Sequence, residues 1–135
     1  MFKTSGGKYI APQSMENKFK ESRYIEQIMV LGDGRKFPSA LIVPAFDSVK
    51  SWCAIKGIPY TNDEEMLKNP KVLEKFQREI DEFNEKFAHY EKIKKFTLLS
   101  KLWSIEGGEL TAKLSLKRKV ILQKYEKEVE GMYKE

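Results

Sequence analysis

The sequence predicts an α+β fold, a small antiparallel or mixed sheet with an N-terminal hairpin, packed by helices. Three observations carry this expectation. Two short apolar runs, Ile25 to Leu31 and Ala40 to Val43, flank Gly32-Asp33-Gly34 and read as a buried hairpin. Phe76, Ile80, Phe83, Phe87 and Tyr90 recur at spacings of four, three, four and three, the mark of one apolar helix face. No internal repeat or low-complexity segment interrupts the order of elements, and 135 residues suit a single domain over 1–135.

Each element has its own signal. Met1-Phe2-Lys3 runs straight into Thr4-Ser5-Gly6-Gly7-Lys8-Tyr9-Ile10, a Gly-Gly turn between short extended pieces. The first residues of a domain usually fray, so a start inside a hairpin suggests a piece of a longer protein. Gln13 to Ser22 reads as a short helix with Met15 and Phe19 at i, i+4. Asp47 to Ile55 suits a helix with Asp47 as N-cap, stopped by Gly57-Ile58-Pro59. Asn62-Asp63-Glu64 offers another cap, and Pro70 restarts the chain into one long helix, about 71–94. Phe96 to Leu99 reads as a further strand, Gly107-Gly108 as a loop, and Val120 to Met132 as a closing amphipathic helix.

Composition narrows the function classes. A 41% hydrophobic share is enough for a core, which argues against wholesale disorder. No apolar run approaches the ~20 residues of a membrane-spanning helix, and Met1 to Tyr9 holds no signal-peptide pattern. The single cysteine, Cys53, excludes an internal disulfide framework, and the single histidine, His89, excludes a His-rich metal site. A reduced, cytoplasmic, soluble domain with no metal site is expected. The 25 Lys+Arg against 20 Asp+Glu, net +5, point weakly to anionic partners.

Most catalytic arrangements are absent. His89 falls among Glu85, Lys86 and Glu91 and reads as a solvated helix residue. Cys53, beside Trp52 and Ala54, reads as a small packing residue. Glu79, Asp81, Glu82 and Glu85 alternate with Lys75, Arg78 and Lys86 and read as a solvated face.

Two stretches remain. In Ser5-Gly6-Gly7-Lys8 the glycines allow a tight turn and close approach to a ligand; the glycine spacing is not that of a Walker A loop. In Leu110 to Lys119 four cations fall within seven residues, just before a helix. If that segment is extended, Lys113, Ser115 and Lys117 share one side while Leu114 and Leu116 anchor the other. Aromatic residues for base stacking are missing between Leu110 and Lys124, which counts against nucleic acid.

Together the two stretches resemble the C-terminal domain of the adenylate-forming enzymes, in the long-chain fatty-acid–CoA ligase branch. Lys3-Thr4-Ser5-Gly6-Gly7-Lys8-Tyr9-Ile10-Ala11-Pro12-Gln13, followed by Glu16-Asn17, is similar to the segment after that family's interdomain hinge. Glu109-Leu110-Thr111 through Lys117-Arg118-Lys119 is similar to its C-terminal lysine motif.

The resemblance implies the mobile C-terminal domain of a larger enzyme, inactive alone. An N-terminal adenylation domain of the same chain would bind ATP, Mg2+ and a fatty acid. This domain would close over it, then reorient so that CoA attacks the acyl-adenylate. No cofactor is expected to bind the isolated domain tightly. Ser5, Gly6, Gly7 and Lys8 would form the CoA-side hairpin. Peripheral membrane contact is left to the full-length protein. The branch's pattern would place a lysine where this chain has Ser115, and Pro-Thr where it has Ala112-Lys113. Lys117 and Lys113 are therefore the substitute candidates, each about 6–7 Å away if the strand is extended. Two other readings are a basic nucleic-acid-binding module and a helix-mediated interaction module using the Phe76–Tyr90 stripe.

Overall fold

A computed structural model describes residues 1–134. The expected α+β architecture is present as a two-stranded hairpin, a three-stranded sheet and six helices. β1 (Phe2–Lys3) pairs antiparallel with β2 (Tyr9–Ile10), and α1 (Pro12–Phe19) follows. β3 (Ile25–Leu31) and β4 (Ser39–Pro44) form the antiparallel hairpin around the glycine-rich turn. Three helices intervene, α2 (Phe46–Lys56), α3 (Asp63–Lys68) and α4 (Pro70–Asn84), before β5 (Lys95–Leu98) pairs parallel with β4. A parallel partner needs such a crossover, so the sheet is mixed, in the order β3-β4-β5. α5 (Arg118–Lys124) and α6 (Glu126–Tyr133) close the chain.

The sheet is covered on both faces. Ile28, Val30, Ala40 and Ile42 face one core with Phe19, Val72, Phe76 and Ile80 from α1 and α4. Their neighbours Met29, Leu31, Leu41 and Val43 face a second core with Trp103, Ile121, Val129 and Met132. Burial on both sides is why these strands read as continuous apolar runs instead of alternating ones.

Several boundaries differ from expectation. The long helix has 15 residues and ends at Asn84, not near residue 94. There the Asn84 side chain turns onto the Ile93 backbone, and the chain tightens into Phe83–Lys86 and Asn84–Phe87 i→i+3 bonds. Phe87 folds back on Phe19 at 5.4 Å, and Tyr90 lies 43% exposed in a 3-10 turn over His89–Glu91. His89 is thus exposed on that turn and not on the helix. The remaining stripe of Phe76, Ile80 and Phe83 is spent on the domain's own core, so it offers no face for helix-mediated association. The helix expected from Asp47 begins at Phe46 after Ala45, with no side-chain cap. Asn62 does cap α3 by accepting from the Glu65 amide at 2.8 Å, and Pro70 opens α4 as expected. The closing helix is broken in two at Tyr125. No described helix is long and apolar enough to cross a membrane.

Candidate functional site

The N-terminal hairpin is held by its own turn and by the β3–β4 turn. Thr4 donates its amide to the Lys8 carbonyl at 2.9 Å, and Gly7, at φ 85°, donates to the Thr4 carbonyl at 3.0 Å. A residue with a Cβ is strained at that φ, which is what a glycine solves there. The Ser5 amide bonds the Arg35 carbonyl at 2.8 Å, and the Gly34 amide bonds the Lys3 carbonyl at 2.9 Å. Ser5, Gly6, Gly7 and Lys8 are all exposed at this tip. Beside it lies a hollow of about 360 Å3 lined by Ser5, Arg35, Lys36, Phe37, Lys95, Tyr133 and Lys134. Phe37 and Tyr133 pack at 4.9 Å between ring centroids with their planes tilted by 33°, and Arg35 lies over Tyr133 at 4.8 Å. Tyr133 Oη donates to the Phe37 carbonyl at 2.8 Å and lies 2.7 Å from Ser39 Oγ; burial pushes its phenol pKa up. Arg35 also pairs with Glu130, which ties the turn to α6.

The lysine-rich segment is not an extended strand. Leu110 and Leu116 form an isolated antiparallel bridge, so the chain doubles back between them. The Thr111 amide donates to the Ser115 carbonyl at 2.9 Å, the Leu114 amide to the Thr111 carbonyl at 2.8 Å, and the Ser115 amide to Thr111 Oγ1 at 3.1 Å. Lys113 therefore sits at the turn tip and Lys117 at the base, immediately before α5, and not on one strand face with Ser115. Leu116 packs against the second core as expected, whereas Leu114 is 66% exposed with φ 66°. It is the single non-glycine residue with positive φ among those described. Lys113, Ser115 and Lys117 are exposed, and neither lysine enters an ion pair among the described residues.

Two buried glutamates stand at the feet of this loop, and sequence reasoning gave neither a role. Glu109 accepts from the Ser104 amide at 3.0 Å and from the Lys124 ammonium, while its carbonyl accepts the Lys117 amide at 2.8 Å. Burial alone would push its carboxyl up, but Lys124 and the Ser104 amide outweigh that and hold it below the ordinary glutamate value. Glu16 accepts a fork from Arg118 at 2.7 and 2.8 Å and the Val30 amide at 2.8 Å. The only hint in the sequence was their place inside the two motifs. Their burial could not be read there, because both are ordinary surface residue types. Cys53, fully buried with its thiol pKa pushed up by burial, is a packing residue.

The two loop tips line different hollows, which share no residue. Ser5 lines the cationic hollow by Tyr133, whereas Leu114 lines a different one, about 510 Å3, with Ile28, Trp103 and Leu110. Their bases meet at a third cavity of about 350 Å3, lined by Phe2 and Arg118 among others. Among the described residues, no three His, Cys, Asp or Glu side chains gather to hold a metal.

This chain resembles known proteins along its whole length. Residues 2–135 match the family model described as the AMP-binding enzyme C-terminal domain. The long-chain-fatty-acid–CoA ligase FadD15 of Mycobacterium tuberculosis is 28% identical over 131 residues, covering 96% of this chain and 22% of that protein. Long-chain-fatty-acid–CoA ligase 6 of mouse is 30% identical over 135 residues, covering 98% of this chain and 19% of that protein. The chain thus spans about a fifth of the length of these relatives. In fold it matches the A-PCP didomain of a carboxylic acid reductase from Segniliparus rugosus, solved with AMP, at a TM-score of 0.75 and 20% identity, over 98% of this chain and 17% of that one. Matched by that family model over residues 2–135, the chain belongs to the family of AMP-binding enzyme C-terminal domains.

Proposed function

We propose that residues 1–135 are the mobile C-terminal domain of a long-chain fatty-acid–CoA ligase, working on an N-terminal adenylation domain in the same chain. The observation that carries this reading is that the two exposed tips open on different hollows, in a chain matched along its length by the AMP-binding enzyme C-terminal domain. One domain can then serve two half-reactions by turning a different face to the same companion site. With the lysine loop inward, a fatty-acid carboxylate oxygen attacks the α-phosphorus of ATP. The bond to pyrophosphate breaks, and the acyl-adenylate forms. With the hairpin inward, the CoA thiolate attacks the acyl carbon and AMP leaves.

The chain's own residues have fitting roles in each step. The Lys117 ammonium, with Lys113 as its competitor, would stabilise negative charge building on carboxylate and phosphate oxygens. Ser115 supplies no fixed charge there. The Ser5–Lys8 turn would border the pantetheine path. The neighbouring hollow, with Arg35, Lys95 and Lys134 around the Phe37–Tyr133 pair, fits a ligand carrying both phosphates and an aromatic base. Magnesium would travel with the nucleotide on the companion domain.

The test follows ATP- and fatty-acid-dependent pyrophosphate release by the full-length protein, with Lys117→Ala and Lys113→Ala as variants. A fall of about 10²-fold or more on one substitution identifies the working lysine. Release that ignores both substitutions transfers the role to another residue. No release from the unsubstituted protein would sink the reading.

A further inference from the structure

We propose that Glu16 and Arg118 are positioning residues for adenylation, acting through the loop that carries Lys113, Ser115 and Lys117. The inference rests on the function proposed above. Arg118 directly follows Lys117 and is the first residue of α5. Its guanidinium grips Glu16 with two bonds, Nη2 to Oε1 at 2.7 Å and Nη1 to Oε2 at 2.8 Å, across 102 positions of sequence. Glu16 is only 4% exposed, and its Oε2 also accepts the Val30 amide at 2.8 Å. That amide points out from the edge of β3, where no further strand could satisfy it. The carboxylate is therefore seated on the sheet, and Arg118 fastens the end of the loop to that seat.

The loop needs such a fastening. Leu114 holds φ 66° while its side chain is 66% exposed, so little packing of its own maintains the left-handed backbone. A strained residue persists only where its surroundings over-determine it. Here the surroundings are the Thr111 turn bonds within the loop and two anchors at its base, the Lys117 amide on the Glu109 carbonyl and the Arg118 guanidinium on Glu16. A lysine at 118 would keep the charge but lose the planar fork, and with it the fixed angle at which the chain enters α5. The reach of the Lys117 ammonium is set from that point.

The test uses the complete enzyme that carries this chain, with Arg118→Lys and, as the variant of nearly unchanged size, Glu16→Gln. Pyrophosphate release is measured separately from thioester formation on acyl-adenylate supplied preformed. Hydrogen exchange is read over residues 110–117, with 72–84 in α4 as internal control. The expected result for Arg118→Lys is a kcat for pyrophosphate release lowered tenfold or more, with KM for ATP and the thioester step each within twofold. Exchange over 110–117 should quicken at least tenfold while 72–84 stays unchanged. Glu16→Gln should reproduce this pattern and decides the matter if Arg118→Lys does not fold. Equal losses in both half-reactions, or faster exchange in α4 as well, would make the pair a general support of the fold and overturn the proposal. Unchanged exchange over 110–117 would overturn it too. No pyrophosphate from the unsubstituted enzyme would instead remove the underlying function, a result distinct from either.

Discussion

Asn84 binds both backbone groups of Ile93: its Nδ2 donates to the carbonyl and its Oδ1 accepts from the amide, each at 2.9 Å. This pair of hydrogen bonds mimics a strand partner and fixes where the chain leaves α4 for β5. Asn84→Ala leaves a buried amide and carbonyl without partners and should cost about 1–3 kcal/mol. Urea unfolding would show it as a lower midpoint with an unchanged slope.

The Glu109 carboxyl is held below its ordinary value of about 4.3. Near and below that pH the unfolded chain binds more protons than the folded one. The pair's contribution is therefore present above the unfolded value and is lost as pH falls through the folded value. Glu109→Gln should melt below the unsubstituted protein at pH 7, with the gap narrowing as pH drops below about 4. Thermal melts across that range check it; a gap that widens in acid would contradict the assignment.

Ser115 stands on the exposed loop, one residue past the strained Leu114. Because the Lys117 ammonium already supplies the charge on this loop, Ser115→Lys should leave pyrophosphate release by the full-length protein within about threefold. Thioester formation from supplied adenylate should not change. A rise of about 10²-fold would mean that neither Lys117 nor Lys113 occupies the role.

Gly32 lies where the two hairpins meet. A Cβ there would stand 3.1 Å from the Phe37 carbonyl oxygen and 3.2 Å from both Phe2 Cε1 and Pro38 Cα, at a φ of 147°. Two of those three contacts are backbone and cannot yield easily. Gly32→Ala should cost about 1–3 kcal/mol and loosen the Ser5–Lys8 tip, read as faster amide exchange over residues 3–8.

The sequence was most legible where one physical rule acted alone. Ile25–Leu31 and Ser39–Pro44 pack on both faces, so nearly every position had to be apolar, and the hairpin could be read directly. Asn62 and Pro70 marked helix starts because caps act through neighbouring backbone. The reading failed where distant residues intervened. Helix periodicity ran through Phe87 and Tyr90, yet Asn84 had a better partner in Ile93 and Phe87 in Phe19. Alternation suggested an extended Lys113–Lys117, but the Leu110–Leu116 bridge and the Thr111 bonds folded it into a turn.

By itself, the amino-acid sequence determined the α+β class, the order of its main elements and the two motif-bearing loops, because local patterning and turn residues encode these. Only the tertiary structure decided where the long helix stops and which cations stand free. It alone seats Arg118 on Glu16 and Lys124 on Glu109. Those pairings join residues 102 and 15 positions apart. A buried carboxylate finds its partner through folding in three dimensions, and sequence spacing carries no record of that choice.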